Sequence, residues 1–404
     1  MTTKASPVEV TGPLAQHAAS FKAELAARGY TPLSAANQLR LMAHLSRWLE
    51  GEQLELAMLD EGHAEAFLAA RRAAGYTCWR TMRGLFPLLD YLRREGEVPL
   101  AEARQPTTPV ELLLGEYRSY LSGERGLAAS TVENQLTVAR AFLQACAERS
   151  GGLRLDTLGA GEVLAYLRRA CAGRSVGFSK TVVTGLRSLL RYLHLSGELA
   201  HALHGVVPSV AGWRDSGLPK ALPGRTVQAL LSSCDRRQGV GRRDHAILLL
   251  LARLGLRAGE VAALQLSDLD WRAGELVVHG KARRDERLPL PSDVGAAIAA
   301  YLTRGRPPFS DRHVFVRAIA PLGPLGPGGV QHVVEAACSR AGLERIGAHR
   351  LRHSLASELL AAGSSLPEIG QVLRHRSIET TAIYAKIDHR SLSGLALAWP
   401  EGER

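Results

Sequence analysis

Cysteine is scarce in this sequence, and its few positions follow no pattern. Five cysteines are spread over 404 residues, and none of them stands in a C-x-x-C pair. Such an odd, dispersed set argues against a disulfide framework and against a zinc site, and it fits a reducing compartment. We therefore expect a cytoplasmic protein that holds no metal and owes its stability to packed cores.

Long apolar runs are also lacking. The first residues, Met1 to Lys4, have no apolar stretch behind their single charge, so no secretory signal is expected. The run from Ala246 to Ala252 is strongly apolar, but it is far shorter than the ~20 residues that a membrane-spanning helix needs. The sequence therefore predicts a protein with no membrane partner.

Acidic residues are outnumbered by basic ones. The chain carries 50 Lys and Arg against 39 Asp and Glu, which gives a net charge of +11 and a pI of about 9.8. A basic excess favours a polyanionic partner, because a Lys or Arg that neutralises a phosphate releases a counterion from nucleic acid. Solubility alone is the simpler explanation, so the charge favours DNA as a partner without establishing it.

Two proline-bearing stretches with little periodicity interrupt the chain. They span residues 102–109 and 205–224, and such stretches are typical of linkers. They predict three domains: an N-terminal helical domain over residues 1–105, a second helical domain over 109–207 and a C-terminal domain over 217–404. Each has a size that is usual for a domain.

The first two regions resemble each other. Asn37-Gln38-Leu39 matches Asn134-Gln135-Leu136, and the block from Gly84 to Leu92 matches the block from Gly185 to Leu193. Apolar residues recur at helical spacing in both copies, so we expect a duplicated helical bundle. Basic residues elsewhere on the bundles are explained about equally well by a solvated surface and by weak contacts to a DNA backbone. The candidates for such contacts are Arg80, Arg83, Arg168, Arg169 and Lys180.

The C-terminal half has a mixed pattern. Helices are predicted over residues 244–254, 292–302, 330–341 and 348–362. Two short strands are predicted over residues 275–279 and 287–290, on either side of a turn. Ser365 and Ser377 are placed to cap the next two helices, and the second of these helices carries Tyr384. The expected fold is mainly α, with two helical bundles followed by an α+β domain that contains a small β-sheet.

The same half carries an ordered set of groups suited to phosphate chemistry. Arginine holds phosphate through a planar fork of donors, histidine transfers protons near neutral pH, and a tyrosine hydroxyl can attack phosphorus. Each motif alone is explained as well by a surface ion pair or a solvated helix start. The ordered combination is the informative observation, and its members are Arg257, Glu260, His349, Arg352, His375 and Tyr384.

The motifs around these residues resemble the conserved boxes of the tyrosine recombinases, the phage integrase family. The resemblance covers residues 218–389. The matching segments are Leu254–Glu260, His279–Lys281, His349–Ser354, Leu373–His375 and the segment from Ser377 to Tyr384. The resemblance implies a catalytic domain preceded by a helical core-binding domain.

The resemblance also implies a role for the nucleophile and the phosphate clamp. Tyr384 would attack the scissile phosphate and form a 3′-phosphotyrosyl bond. Arg257 and Arg352 would hold the non-bridging oxygens and stabilise their charge in the transition state. Glu260 would support Arg257.

Three further roles follow from the resemblance. Lys281 would be the general acid for the leaving 5′ oxygen, His349 the general base toward the tyrosine hydroxyl, and His375 a hydrogen-bond donor to the phosphate. No cofactor and no metal would be needed, because the covalent bond conserves the phosphodiester energy. The partners would be double-stranded DNA and other protomers in a tetramer, with a partner recombinase as a further candidate.

The sequence departs from the family pattern at two positions near these groups. Arg374 stands where the family usually has glycine, and Lys386 stands where it often has histidine. Arg374 would either crowd the turn or bring a further cation near the DNA. The first helical region also replaces the small arm-binding domain that many integrases carry.

Three functions are compatible with the sequence. The leading one is a site-specific recombinase that serves integration, excision or transposition of a mobile element. A type IB topoisomerase would use the same tyrosine and a similar cationic clamp. A DNA-binding accessory protein is the third, although a protein that only binds DNA has no use for the nucleophile.

Overall fold

The computed structural model describes residues 8–100, 108–210, 221–280, 285–375 and 377–387. The chain divides into two compact units, one formed by Met1–Val98 together with Gly217–Arg404 and the other by Pro99–Ser216. The first helical region thus belongs to the same unit as the C-terminal half, and the division into three domains stays a prediction.

The first region is helical, with its own apolar core. Its helices are α1 (Ala18–Ala27), α2 (Pro32–Gly51), α3 (Glu61–Ala73) and α4 (Met82–Arg94). Helix α2 begins at Pro32 because the Thr31 side chain accepts a hydrogen bond from the N–H of Ser34. Leu41 and Leu45 of α2 are completely or almost completely buried in this core.

The second unit is also helical. Its helices are α5 (Pro109–Ser119), α6 (Ala129–Ser150), α7 (Ala160–Cys171) and α8 (Val176–Leu195). The matching blocks Asn37–Leu39 and Asn134–Leu136 lie on α2 and α6, and the longer blocks lie on α4 and α8. The similar segments therefore occupy the second and fourth α-helix of each region.

The C-terminal half combines helices with one small sheet. Its helices are α9 (Gly224–Ser232), α10 (Gly239–Arg253), α11 (Ala258–Ala263), α12 (Ser292–Arg304), α13 (Pro327–Arg340), α14 (His349–Ala361), α15 (Leu366–Val372) and α16 (Ile378–Thr381). Helices α10 and α13 begin earlier than the sequence predicts, and α13 does so because Pro327 stands in its first turn. The mainly α fold with a small sheet is confirmed.

The sheet is an antiparallel meander in the order β1-β2-β3. Its strands are β1 (Leu269–Asp270), β2 (Glu275–His279) and β3 (Asp285–Pro289). Strand β2 has the predicted bounds, whereas β3 begins at Asp285, before the predicted Arg287. Strand β1 is not predicted, because two residues are too few to show an alternation of apolar and polar side chains. His279 pairs with Asp285 at the end of the β2–β3 ladder where the chain passes from one strand to the other.

The core of the C-terminal half is built around α10. Ile247 and Leu250 of this helix are completely buried, together with Val294 from α12 and Val334 from α13. A separate small cluster joins α14 and α15 to the turn that carries Tyr384. Among the described residues, no helix is both long enough and apolar enough to span a membrane.

Candidate active site

Arg352 lies at the centre of the site, with 1% of its surface exposed. It stands near the start of α14, and its two terminal nitrogens donate to the backbone carbonyls of Gly255 and Leu373. One buried guanidinium therefore joins the segment before α11 to the end of α15. Burial, followed by the charges of Arg257 and Arg374, lowers the pKa of Arg352 to about 10. The group still carries its charge at neutral pH.

Arg257 immediately precedes α11 and faces solvent, with 44% of its side chain exposed. Its backbone N–H donates to Glu260 Oε2 at 2.8 Å, and its Nη1 donates to Glu260 Oε1 at 2.6 Å. Burial alone would raise the pKa of Glu260, but the bond from the Arg257 N–H and the charges of Arg374 and Arg257 lower it overall. Glu260 is therefore a charged, buried support that orients an exposed guanidinium.

Arg374 turns its side chain inward, toward the same carboxylate. Its Nη2 donates to Glu260 Oε2 at 3.0 Å, and only 5% of its side chain is exposed. The guanidinium also reaches the carbonyls of Leu254 and Gly255, each at 3.5 Å. The Arg374 backbone has φ 55°, a left-handed conformation that favours glycine. The departure from the family pattern thus adds a cation beside the clamp.

Tyr384 is buried, with 1% of its surface exposed. It lies in a 3-10 turn, Ala382–Ile387, that follows α16, and the sequence had predicted an α-helix here. Its hydroxyl Oη lies 2.7 Å from Nδ1 of His353. Burial raises the pKa of Tyr384 to about 12, although the charge of Arg352 acts in the opposite direction. A phenol in this state needs a proton acceptor to become a nucleophile at neutral pH.

His353 is the residue that sequence analysis missed. Desolvation, followed by the charges of His349, Arg352 and Arg350, lowers its pKa to about 4. Its ring is therefore neutral at pH 7, and with the ring proton on Nε2 it accepts a hydrogen bond from Tyr384. The signal was available, because His353 stands at i+4 from His349 and shares its helix face.

His349 occupies the start of α14 and is exposed. Its ring packs edge-on against His353, with 4.7 Å between the ring centroids. Desolvation and the charges of Arg352 and Arg257 lower its pKa. His349 therefore lies next to His353, the residue that contacts Tyr384, and the charges of Arg352 and Arg257 act on its ring.

His375 immediately follows Arg374, and Thr381 holds its ring. Its Nδ1 lies 2.8 Å from Thr381 Oγ1. Desolvation, and to a smaller extent the charges of Arg352 and Arg257, lower the pKa of His375 to about 4. With Nδ1 engaged by Thr381, Nε2 is the ring atom left for another partner.

A cavity of ≈ 1080 Å³ is lined by some of these groups and by the ends of strands β2 and β3. Arg257, Arg374 and His375 line it on one part, and His279 and Gly280 line it on another. Hydrogen bonds to the carboxylates of Asp285 and Asp268 raise the pKa of His279. Lys281, the predicted general acid, lies outside the described residues, but it follows Gly280 directly in the sequence.

The composition of the site is suited to an anion rather than to a metal ion. Three arginines surround one buried carboxylate, Glu260. Among the residues that the structure describes, no three His, Cys, Asp or Glu side chains are grouped to hold a metal. The charge of the arginines is suited to binding a phosphate diester.

The five basic residues predicted to contact DNA weakly lie on the two helical regions. Arg80 and Arg83 are exposed and line a second cavity of ≈ 930 Å³, together with Trp79, Phe86 and Arg317. Arg168 and Arg169 stand exposed in the last turn of α7, and Lys180 is exposed on α8. Their exposure leaves all five accessible to a phosphate backbone.

Comparison with known proteins assigns the family. The sequence profile of the phage integrase family matches residues 220–390. A protein of Sinorhizobium fredii, named "Putative integrase/recombinase y4rA", is 40% identical over 397 residues, which is 96% of this chain and 95% of the relative. The chain belongs to the phage integrase family of tyrosine recombinases. It is therefore a DNA-cleaving and rejoining enzyme.

Other relatives of this tyrosine recombinase agree with the assignment. The tyrosine recombinase XerC of Azotobacter vinelandii is 31% identical over 284 residues, covering 70% of this chain and 93% of the relative. The structure of the XerH recombinase bound to a palindromic difH substrate superimposes with a TM-score of 0.55 at 21% identity, over 75% of this chain and 99% of that one. A lambda integrase dimer bound to a core site gives 0.51 at 17% identity, over 66% and 95%. At these identities, both structures support the fold.

Proposed function

We propose that this tyrosine recombinase acts at specific DNA sites, cleaving one strand at a time and forming a 3′-phosphotyrosyl bond at Tyr384. The free 5′-hydroxyl of a second strand then attacks that bond, so that strands are exchanged and no high-energy cofactor is consumed. The biological outcome would be integration, excision or transposition of a mobile element.

The observation that carries the proposal is the contact between Tyr384 and His353. The 2.7 Å separation of Oη and Nδ1 pairs a phenol of raised pKa with a neutral imidazole. Proton transfer to a positioned histidine is a common way to activate a weak hydroxyl nucleophile. In this proposal His353, rather than His349, takes the proton as Tyr384 attacks phosphorus, and His349 supports the ring of His353.

The phosphate would be held by Arg257, Arg352 and His375. Arg257 offers an exposed fork that Glu260 orients, and Arg352 supplies a fixed buried charge. His375 would donate from Nε2 to a non-bridging oxygen, because Thr381 engages its other nitrogen. Such prearranged donors stabilise the charge that grows on the equatorial oxygens during in-line displacement.

The leaving 5′ oxygen needs a proton as the P–O bond breaks. Lys281 is the proposed donor, on the basis of the family resemblance and of its position in the sequence directly after Gly280, which lines the cavity. The proton would pass from the Lys281 ammonium to the 5′ oxygen, which leaves as a hydroxyl. The same group would take the proton back during rejoining.

Tyr384 has to leave its buried position before it can reach DNA. Its 1% exposure means that attack requires a shift of the turn Ala382–Ile387 or of the elements packed on it. We propose that this shift accompanies assembly on DNA, in a tetramer that joins two duplexes. The exposed Arg80, Arg83, Arg168, Arg169 and Lys180 would contribute weak phosphate contacts in that complex.

The DNA complexes of the structural neighbours support a DNA substrate. They are XerH in a post-cleavage complex with difH DNA, lambda integrase on a core site, and the Tn1549 transposon integrase with circular intermediate DNA. These complexes concern those proteins, and similarity in fold extends a DNA substrate to this chain as a proposal.

The test is a suicide DNA substrate that carries the end of the element, nicked so that the cleaved fragment diffuses away. The wild-type protein should accumulate a covalent protein–DNA adduct, and Tyr384→Phe should form none while it binds the same DNA. An adduct of undiminished yield with Tyr384→Phe would contradict the proposal. Relaxation of supercoiled DNA that lacks the element's ends would point instead to a topoisomerase.

A further inference from the structure

We propose that Arg374 is a positioning residue of the phosphate clamp, which pairs with Glu260 so that the charge of Arg257 stays available to the scissile phosphate. The inference rests on the proposed function. It concerns a side chain that stands where the family usually has no side chain at all.

The first support is that Arg257 and Arg374 both donate hydrogen bonds to Glu260. Its Oε1 accepts from Arg257 Nη1 at 2.6 Å, and its Oε2 accepts from the Arg257 backbone N–H at 2.8 Å and from Arg374 Nη2 at 3.0 Å. One carboxylate therefore faces two guanidinium groups. With Arg257 alone, the charges of the pair would cancel. With Arg374 added, the group of three keeps one net positive charge beside the cavity.

The second support is burial, which strengthens this effect. The side chains of Arg374 and Glu260 are only 5% and 8% exposed, whereas Arg257 is 44% exposed. Solvent screens a buried pair much less than an exposed one. The inner guanidinium thus neutralises Glu260 from the protein side, and the outer guanidinium faces the cavity.

The third support is a set of contacts that ties Arg374 to both clamp arginines. Its guanidinium reaches the Gly255 carbonyl, which also accepts from Arg352. Its own backbone carbonyl accepts from Arg257 Nη2 at 3.4 Å. Arg374 therefore helps to fix the distance between the segment that carries Arg257 and the segment that carries His375.

The Arg374 side chain still has one donor to spare. Its Nε is buried and makes no hydrogen bond with any described residue, and Glu286 Oε2 lies 3.8 Å from it. Arg374 and Glu286 both line the ≈ 1080 Å³ cavity. Arg374 therefore pairs closely with Glu260, and Glu286 is a more distant partner across the cavity lining.

The backbone around Arg374 makes a clean substitution possible. The N–H of Arg374 bonds to the Gln371 carbonyl, and the N–H of His375 bonds to the Gly370 carbonyl, which is the helix-ending motif that favours glycine at the left-handed position. Arg374→Gly therefore removes the side chain while it relieves the backbone. Gln53, with φ 54°, ends α2 through the same pattern of bonds, so Gln53→Gly is a matched control away from the site.

The experiment measures single-turnover formation of the adduct on the suicide substrate. We expect Arg374→Gly to cleave about 10- to 100-fold more slowly than wild type, which is the effect of removing a residue that orients a metal ligand in metalloenzymes. Arg374→Lys, which retains the charge, should recover most of the rate. Gln53→Gly should cleave as wild type does, and all variants should bind DNA with similar affinity.

A substrate with a neutral methylphosphonate at the scissile position separates the charge effect from a loss of packing. With that substrate the rate difference between wild type and Arg374→Gly should nearly vanish, because the clamp no longer has an anion to balance. A wild-type rate for Arg374→Gly on natural DNA would overturn the inference, and so would an equal loss on both substrates. If the wild-type protein itself gave no Tyr384-dependent adduct, the proposed function would fail instead.

Discussion

Nδ1 of His353 lies 2.7 Å from Oη of Tyr384. His349, the histidine that the family motif singles out as the base, packs edge-on against His353, and the two ring centroids are 4.7 Å apart. The lowered pKa of His353 keeps it neutral at pH 7, which is the state that an acceptor requires. His353 is thus expected to be the group that takes the proton from Tyr384.

Replacing His353 tests this role. His353→Ala should slow single-turnover adduct formation about 10²- to 10⁴-fold, which is the usual contribution of a general base. His353→Asn should be slow as well, because an amide can hydrogen-bond to Tyr384 but cannot take its proton. His349→Asn should lose less, since it acts through His353.

The outcome that would contradict this role of His353 is specific. If His353→Ala cleaved at the wild-type rate while His349→Asn did not, the base would be His349, as the resemblance alone implies. DNA binding measured by gel shift serves as the control and should change little in any of these variants.

The distinction between His349 and His353 shows where sequence analysis reached its limit. The motif around Arg352 predicted that His349 and Arg352 lie near the start of a helix, and α14 begins at His349; the i,i+3 spacing places both on one face. It could not show which of two histidines on that face meets Tyr384, since this depends on how the turn Ala382–Ile387 packs against α14. Tertiary contacts of this kind leave no local pattern.

Arg374 marks a second limit of the same kind. The sequence shows that Arg374 replaces the usual glycine. The orientation of its side chain toward Glu260 depends on how closely α11 lies to the end of α15. Elements such as α12 and β2 could be predicted from the sequence, because apolar periodicity and flanking turns define them. The two-residue strand β1 and the 3-10 turn that carries Tyr384 are too short to show periodicity.

The two clamp arginines should differ in their effect on stability. Arg352→Ala leaves the buried Leu373 carbonyl without its donor and leaves the Gly255 carbonyl with only the 3.5 Å contact to Arg374, and an unsatisfied buried acceptor costs about 1–3 kcal/mol. We expect the free energy of unfolding to fall by at least about 2 kcal/mol. Arg257→Ala removes a largely exposed guanidinium, and the buried Glu260 keeps Arg374 as its partner, so the free energy of unfolding should fall by less, about 1 kcal/mol.

Urea unfolding followed by circular dichroism checks this contrast, and both variants should be severely impaired in adduct formation. Equal stability losses for Arg352→Ala and Arg257→Ala would show that the buried contacts of Arg352 contribute little. The pair thus separates a structural role from a catalytic one at neighbouring positions.

Gly255 is required by its backbone and by its neighbours. It has φ +57°, and a Cβ at this position would lie 2.9 Å from Leu373 Cδ2 and 3.0 Å from Leu355 Cδ2. Gly255→Ala should lower the free energy of unfolding by about 1–3 kcal/mol. Gly259→Ala is the control, because a Cβ there meets no atom within 4 Å, and its urea midpoint should equal or exceed that of wild type.

Stability should decrease as the pH falls below neutrality. His353 and His375 have pKa values lowered to about 4 in the fold, against an ordinary value of about 6.5 in the unfolded chain. Between these values the unfolded chain binds more protons, so the free energy of unfolding falls as the pH falls. The urea midpoint should therefore be lower at pH 5 than at pH 7.5.

The variant His353→Asn isolates one of these histidines. Its loss of stability between pH 7.5 and pH 5 should be smaller than that of wild type, because it lacks one group that gains a proton on unfolding. An identical pH dependence in both proteins would mean that the ring of His353 is not held neutral by the fold.

The most direct test of the central claim is to identify the residue that carries DNA in the trapped adduct. The adduct is digested with nuclease and protease, and the modified peptide is sequenced by mass spectrometry, with the DNA labelled at one end to show its polarity. We predict a nucleotide joined through its 3′ phosphate to Tyr384. A nucleotide on another residue, or one joined through a 5′ phosphate, would contradict it.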